Sequence, residues 1–549
     1  MLDNIRSRHI NPGKLESYTS RLDEDLLPGT IRSYASHGGA ELELELLKKK
    51  DSKILVPQPD DLPKDPLNWS KKRKYWNTLI VLMYTGFTAG ITNLSGLSDY
   101  TTDASDGILF IGIAFGTYLL APSVNLYGRR ISYLICLFWA ILGMVWVANA
   151  HNTGLANWAQ LLVGASESCG EAQVQLSLTD LFFEYQLGSA LNYYVLATGV
   201  GTFIGPLISG FIDELQGFKV ATYTAVGFAG ANLLLMVFFM DETVYFRKNT
   251  RKVKEESEFT NEFLKQEKSK VLISEVVHDS SSEDDQNGGI GSWFRRQMKV
   301  IAPSPMLDGT GFIQYMKQLF LLPRVLIFPP VIFSGFVWGI QNILMEFYMT
   351  IQEDNYYDPP YNYSDNAVAI MNVPTLIGVV IGCFYGGTLN DWFSNWIAKR
   401  NDGVVDAEVR LWFLYIPCIL SSIGLLLFGI GTDQQWSWVP TYIGLGFIGV
   451  GYGSSGDLSM TYVMLIYPDL VIEMMCGISF INNMLGCIFS FACDAWLENV
   501  SITNTFIILA VMQFMVVVFT IPMMVYGKKC RQWTLPSYIK YCELRDSLR

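Results

Sequence analysis

The chain has 549 residues, of which 50% are hydrophobic and only 16% charged, and its mean hydropathy is +0.26. Soluble domains carry about 25% charged residues, so this composition, with 33 Phe, 28 Tyr and 14 Trp, excludes a disordered chain or a soluble enzyme and points to an integral membrane protein. The net charge of −12 argues against nucleic acid as a partner, and 9 scattered Cys with 4 His and no Cys-x-x-Cys pair leave metal chemistry or a disulfide framework little to stand on.

Residues 1–73 are polar, with Pro, Asp and Lys clusters, and read as a disordered cytosolic tail. The start, MLDNIRSRHINPG, lacks the apolar stretch of a cleaved signal peptide. Lys48, Lys49 and Lys50 suit regulation or ubiquitin attachment, and a plain lead-in fits them too. A bilayer core of about 30 Å needs about 20 apolar residues as a helix. Spans are expected near 74–94, 107–126, 130–149, 157–182, 189–212 and 220–240, which define an amino-terminal bundle over 74–240. A charged cytosolic loop, 241–324, follows. A second set near 325–350, 366–390, 411–431, 438–462, 473–495 and 503–526 defines a carboxy-terminal bundle over 325–526, and 527–549 is a cytosolic tail. The expectation is an all-α integral membrane protein of twelve transmembrane helices in two six-helix, pseudo-symmetric halves, the plan of a secondary transporter.

Basic residues set the orientation. They cluster at Lys71, Lys72, Arg73 and Lys74, at Arg129 and Arg130, and at Arg247, Lys248, Arg251 and Lys252. They recur at Arg324, at Lys399, Arg400 and Arg410, and at Lys528, Lys529 and Arg531. All fall on one side of a zigzag, which is then the cytosol, with both termini; the opposite loops hold only Lys219. Those outer loops are acidic: Asp99, Asp103 and Asp106, then Asp213 and Glu214, then Glu353, Asp354, Asp358 and Asp365 interleaved with Tyr356, Tyr357, Tyr361 and Tyr363. Such a rim concentrates cations, and plain solvated loops read equally well. Asn362 and Asn499 head glycosylation sequons on that side.

No Lys or Arg occurs between Arg130 and Lys219, between Arg324 and Lys399, or from Leu411 to Gly527, yet Glu167, Glu171, Glu346 and Asp457 sit inside these stretches. A charge at the bilayer centre costs several kcal/mol, so such residues face an interior cavity and are functional candidates. Without a basic companion, each acid takes up a proton or a cation from outside. Glu167 and Glu171 are four residues apart and share a helical face, about 6 Å apart along the axis. Mutual repulsion favours proton uptake by at least one, and a pair of anionic sites suits a substrate with more than one ammonium group. Gln175 continues the face. Asn342, one turn before Glu346, extends a polar stripe, although Glu346 also reads as an interfacial residue and Asp457 as a packing or gate residue. Asn482 and Asn483 offer neutral oxygen ligands or interhelical hydrogen bonds; Tyr193, Trp338 and Tyr462 offer cation–π faces or plain packing. No phosphate-cradling Gly-x-x-x-x-Gly-Lys and no His-based triad is present, so an enzyme or an ATP-driven pump is not expected.

Several motifs carry a family resemblance. Gly201-Thr-Phe-Ile-Gly205-Pro206-Leu-Ile-Ser-Gly210 in the fifth span resembles the antiporter motif of the major facilitator superfamily, and Tyr127-Gly128-Arg129-Arg130 resembles its signature loop. Asp65-Pro66-Leu67-Asn68-Trp69-Ser70, Asp180-Leu-Phe-Phe and Ala398-Lys399-Arg400-Asn401-Asp402-Gly403 resemble markers of fungal drug:proton antiporter-type members. The fourth-span run Gly164-Ala-Ser-Glu167-Ser-Cys-Gly-Glu171-Ala-Gln-Val-Gln175 is similar to the yeast histidinol and polyamine permease group. Where the signature loop has an acid and a base, this chain has Asn125 and Leu126, and the fourth span has Gln160 in place of an Arg; Gly387-Thr-Leu-Asn390-Asp391 in the second half keeps its acid.

The resemblance implies the major facilitator fold, with gating roles for Gly128, Arg129, Arg130, Asp180, Gly201, Gly205, Pro206 and Asp391. It implies a plasma-membrane, proton-coupled transporter of organic cations, polyamines above all, with no cofactor beyond the proton gradient and with the bilayer, protons and a small cation as its partners. A monomer is expected. Glu167, Glu171 and Asp457 are the candidate proton carriers, and Glu346 would hold the far end of a long cation. Multidrug efflux is the alternative, and a non-transporting nutrient sensor is a rival of another class.

Overall fold

A computed structural model describes residues 27–32, 49–50, 53–245 and 311–547, apart from single residues at 61, 63, 97, 99, 358 and 402. Lys48, Asp99, Asp358 and the cluster Arg247, Lys248, Arg251 and Lys252 lie outside the described residues. The first half is built of α1 (Lys71–Gly96), α2 (Asp103–Leu126), α3 (Arg129–Ala148), α4 (Thr153–Leu181), α5 (Leu187–Gln216) and α6 (Phe218–Phe239). A short helix, α7 (Gly311–Leu321), precedes the second half. There, α8 (Pro329–Tyr356) is followed by one composite passage of α9 (Asp365–Ile370), α10 (Asn372–Cys383), a π-helical turn over Phe384–Leu389 and α11 (Asn390–Arg400). Then come α12 (Tyr415–Asp433), α13 (Trp438–Ile466), α14 (Val471–Asn499) and α15 (Ile502–Ser547).

Among the described residues, ten long helical segments are apolar enough to cross a membrane. The two of similar length that fall short are α4 and α13, each 29 residues, and with them the long helices among the described residues number twelve. Their lower hydropathy comes from the acids, amides, serines and glycines they carry. A polar helix at lipid depth must be shielded by protein, and these two are: every residue from Ser168 to Leu178 and from Ile448 to Ile466 is buried. The chain is thus a multi-pass membrane protein whose most polar helices lie innermost.

Helix starts follow local chemistry. The Asn152 side chain caps α4 by accepting from Leu155 N, and Thr102 and Ser105 form a capping box at α2. Gly128, at φ +106°, makes the turn into α3, a backbone conformation that favours glycine. The Glu242 carboxylate caps that helix, accepting from Arg129 N at 3.0 Å and Arg130 N at 3.1 Å. In α5, the Gly201 and Gly205 pair lies against Gly86 and Gly90 of α1; a Cβ on Gly201 would sit 2.0 Å from the Gly86 carbonyl oxygen. The same device brings α10 onto α13, where a Cβ on Gly449 would sit 2.0 Å from the Thr375 oxygen. The two halves meet along α2 with α14 and α5 with α10.

The described residues among 27–70, the close of α15 and the turns into α3, α5 and α12 lie at one end, which carries Arg73, Arg129, Arg130, Arg410 and Arg531 and is termed the basic end. Part of the stretch read as a disordered lead-in is ordered there. Strand β1 (Thr30–Arg32) pairs antiparallel with β4 (Val404–Asp406) of the α11–α12 connection, while β2 (Lys49–Lys50) and β3 (Lys53–Ile54) form a hairpin. Arg531, 1% exposed on α15, binds Glu408 through Nε (2.8 Å) and Nη2 (2.7 Å) and donates to the Pro28 carbonyl and the Thr30 hydroxyl. Burial pushes the Asp406 carboxyl up, but the Thr30 hydroxyl bond and the Arg531 and Lys528 charges outweigh it and hold the group below the usual carboxylate range. Farther on, Leu55 and Leu67 pack on Phe183 of the first half, and Glu184 N donates to the Val56 carbonyl. The tail therefore touches both halves. Nor is 527–549 a loose end, because α15 continues through it to Ser547.

Placing a branched side chain where two backbones touch costs about 1–3 kcal/mol. Gly201→Val should therefore lower the thermal unfolding temperature of the purified protein in detergent, whereas Gly227→Val on α6, with no atom within 4 Å of its Cβ position, should leave it unchanged.

Candidate functional site

The interior polar groups fall into three levels along the membrane normal. The middle level holds the paired acids of α4. Glu171 is buried and accepts a hydrogen bond from Asn482 Nδ2 of α14 at 3.2 Å, with the Ser479 hydroxyl also in reach. Glu167, half-buried one turn away, is met by the Thr92 hydroxyl of α1. Asn483 Nδ2 donates to Asn482 Oδ1 at 2.6 Å and thereby orients the amide that reaches Glu171. Gln175, fully buried, donates to Met460 Sδ of α13 at 3.8 Å, across the halves.

Aromatic rings close this level. Tyr452 of α13 stands 4.9 Å from the Trp338 ring and 6.5 Å from Phe203, and Tyr194 of α5 and Tyr452 both lie within electrostatic reach of Glu167 and Glu171. Tyr194 and Tyr452 were not singled out in the sequence. Tyr193, which was, is 49% exposed on the outer face of α5; the adjacent Tyr194 is the ring that points inward. The signal for Tyr452 was its place in the same Gly-rich span as Asp457, five residues before it. Tyr462, also a sequence candidate, is fully buried against Phe333.

The second level lies toward the basic end. Asp457 of α13 is fully buried, five residues beyond Tyr452 or about 7.5 Å along the axis. Its carboxylate accepts from Thr461 Oγ1 at 3.2 Å and faces Gly386 and Gly387 of the π-helical turn. The third level lies toward the opposite end, where Glu346 of α8 accepts from Ser490 Oγ of α14 at 2.8 Å. Asn342 is half-buried one turn from it. Ser490 is eight residues beyond Asn482, so the Glu346 and Glu171 levels are about 12 Å apart. The structure gathers Glu167, Glu171, Gln175, Trp338, Asn482 and Asn483 around the middle level and sets Asp457 and Glu346 on either side of it.

Basic side chains stay away from these levels. Among the described residues the buried ones are Arg129, Arg130, Arg410, Arg531 and Arg545, all at the basic end and all partnered there. Arg129 pairs with Asp180 at 3.2 Å within the first half. Asp391 pairs with Arg410 at 2.7 Å and also caps α5 of the other half, accepting from Ser189 N at 2.7 Å and Ser189 Oγ at 2.8 Å. Gly188 is needed at that contact, since its Cβ would meet Asp391 Oδ1 at 2.5 Å. The corresponding contact of the first half is inverted. Asn125 Nδ2 donates to Glu473 on the first turn of α14 at 3.2 Å, and Arg545 lies 3.7 Å from Glu473. The sequons at Asn362 and Asn499 are exposed at the end opposite the basic one.

A family model of the Major Facilitator Superfamily matches residues 76–492. The chain belongs to the major facilitator superfamily. It is 39% identical to Protein HOL1 of Saccharomyces cerevisiae over 97% of this chain and all of that protein, and 39% identical to an uncharacterized MFS-type transporter of Schizosaccharomyces pombe over 95% of each. The solved proton:xylose symporter XylE, bound to 6-bromo-6-deoxy-D-glucose, shares the fold at a TM-score of 0.53 and 12% identity, covering 83% of this chain and 96% of that one. This member of the superfamily is a membrane transporter and not an enzyme.

Breaking a buried ion pair from one side costs about 3–5 kcal/mol. Asp391→Asn should therefore loosen the closed basic end. A cysteine introduced at the buried Ser394 beside it should be alkylated at least about tenfold faster in that variant, measured by mass spectrometry of the purified protein.

Proposed function

We propose that this superfamily member moves organic cations carrying more than one ammonium group, polyamines in particular, across the plasma membrane by proton-coupled alternating access. The carrying observation is the pair Glu167 and Glu171, held in the interior by neutral donors while the buried basic side chains all lie at one end. An ammonium group replaces the missing positive charge, and Tyr452, Tyr194 and Trp338 offer it aromatic faces. Glu346, about 12 Å away, takes the second ammonium of an extended cation. Asp457, walled off from the middle level, takes the proton.

The basic end is the cytosolic one, with both termini and the central loop, in keeping with the bias of Lys and Arg. The proton gradient is the only energy source required, and one chain holds the whole site. In the closed arrangement Asn482 satisfies Glu171; on opening toward the outside the arriving ammonium takes its place.

A charged hydrogen bond contributes about 1.5–3 kcal/mol. Glu171→Gln and Glu167→Gln should each raise the KM for labelled spermidine uptake by about tenfold to a hundredfold, with a smaller loss for a monoamine. Uptake by cells expressing the variants, across pH 5–8, reads this. Normal spermidine transport by both variants would refute the assignment, and drug resistance without spermidine flux would favour efflux.

A further inference from the structure

We infer that Asn192 positions the proton carried by Asp457, so that one shared proton joins α5 of the first half to α13 of the second across the π-helical turn Phe384–Leu389. The inference rests on the reading of Asp457 as the proton carrier and adds to it a partner and a coupling element. Its basis is a mismatch of hydrogen-bonding groups. Asp457 Oδ2 and Asn192 Oδ1 are both buried, and neither has a hydrogen-bond partner among the described residues. The two side chains converge on Gly387. A Cβ there would lie 2.9 Å from Asp457 Oδ2, 2.5 Å from Asn192 Cβ and 3.0 Å from Asn192 Cγ. Gly386 keeps the adjoining space open, its own Cβ position being 3.3 Å from the same carboxylate oxygen.

Both oxygens are acceptors. An ionised carboxylate has no hydrogen to offer, and an amide oxygen has none at all. Two buried acceptors without a donor are a costly arrangement that native proteins avoid. With the Asn192 amide oxygen turned inward, one proton on Asp457 removes the conflict, Oδ2–H pointing to Asn192 Oδ1 beside Gly387 while Oδ1 keeps its bond from Thr461; the flipped amide would instead donate to an ionised carboxylate, and its loss would move the pH profile upward, which overturns the inference. When the proton leaves toward water, the carboxylate and the amide oxygen repel, and α5 and α13 lose a reason to stay together.

The surroundings suit a site that sees only this proton. Asp391 and Arg410 are the charged groups that act on Asp457, and they neutralise each other in a 2.7 Å pair. Cys383 of α10 is the neighbouring titratable group. From α8 the Trp338 ring packs on Gly456, the residue before Asp457. The wall facing Asp457 is a π-helical turn containing two adjacent glycines. Such turns recur at functional sites because their extra residue leaves room for rearrangement. Proton release at Asp457 is thus coupled to separation of the halves where the backbone is most adaptable.

The test uses full-length protein in proteoliposomes, with labelled spermidine as probe. Proton-driven uptake is measured from pH 5 to pH 8, together with spermidine exchange at equal pH on both sides. Removing the acceptor weakens the hold on the proton. Asn192→Ala should shift the half-maximal pH of driven uptake downward by about half to one unit, while exchange persists. Asn192→Ser, which keeps a hydroxyl acceptor, should restore part of the shift. If the Ala variant does not assemble, Asn192→Leu, with the same branching at Cγ and no acceptor, reads the same shift. An unchanged pH profile in an assembled Ala or Leu variant overturns the inference. Asp457→Asn separates the two levels of reading. Loss of proton-driven uptake there, with an unchanged profile for the Asn192 variants, leaves the proton carrier standing and removes only its partner; intact proton drive in Asp457→Asn removes both.

Discussion

The structure is organised by one electrostatic constraint: carboxylates at lipid depth without basic partners. Low dielectric makes each such group expensive unless it is protonated, hydrogen bonded or matched by a cation. The protein meets this by confining the acids to its two least apolar long helices, α4 and α13, and to the inner side of α8. Shielding those helices from lipid requires the others to surround them closely. The glycine contacts between α1 and α5 and between α10 and α13 serve that enclosure. The buried acids and the packing are therefore one problem, since a looser bundle would wet the acids and an apolar α4 would not need the enclosure.

The basic end solves the complementary problem. Its arginines are buried too, but each faces a carboxylate or a carbonyl. The two halves contribute unequally. Asp391 serves its own half through Arg410 and the other half through the amino end of α5. The pseudo-symmetric position holds Asn125, and the acid has moved to Glu473 of the opposite helix, steadied by Arg545. Both latches are carboxylates backed by an arginine of the second half and met by neutral donors of the first, two at 2.7 and 2.8 Å for Asp391 and one at 3.2 Å for Glu473, so the closed end has a firmer edge and a more yielding one.

Much of this was legible in the sequence. The apolar runs and the one-sided distribution of Lys and Arg contain the spans and their alternation, and the four-residue spacing of Glu167 and Glu171 places them on one face without any structure. What periodicity cannot carry is contact between distant segments. Asn482 with Glu171 and Ser490 with Glu346 join different helices, the first pair from opposite halves, and Asn192 and Asp457 reach Gly387 from opposite halves. Tyr193 and Tyr194 differ by one helical step, about 100° of rotation, which a run of apolar neighbours does not fix. The ordered tail escaped for a related reason. Polar composition suggests no core, yet residues 28–30 dock through a backbone ladder and an arginine some five hundred residues away in the chain.

That docking has a bearing on how the molecule is made. Arg531 clasps Pro28, Thr30 and Glu408, and so unites the earliest described part of the chain, the connection before α12 and the last helix. Synthesis delivers these in the order first, middle, last. The clasp is closed only when nearly the whole polypeptide has been produced and inserted, and a truncated or wrongly threaded product leaves the amino-terminal segment unfastened. The knot at Arg531 is thus tied last, and its closure marks a chain whose first described segment and final helix are both in place.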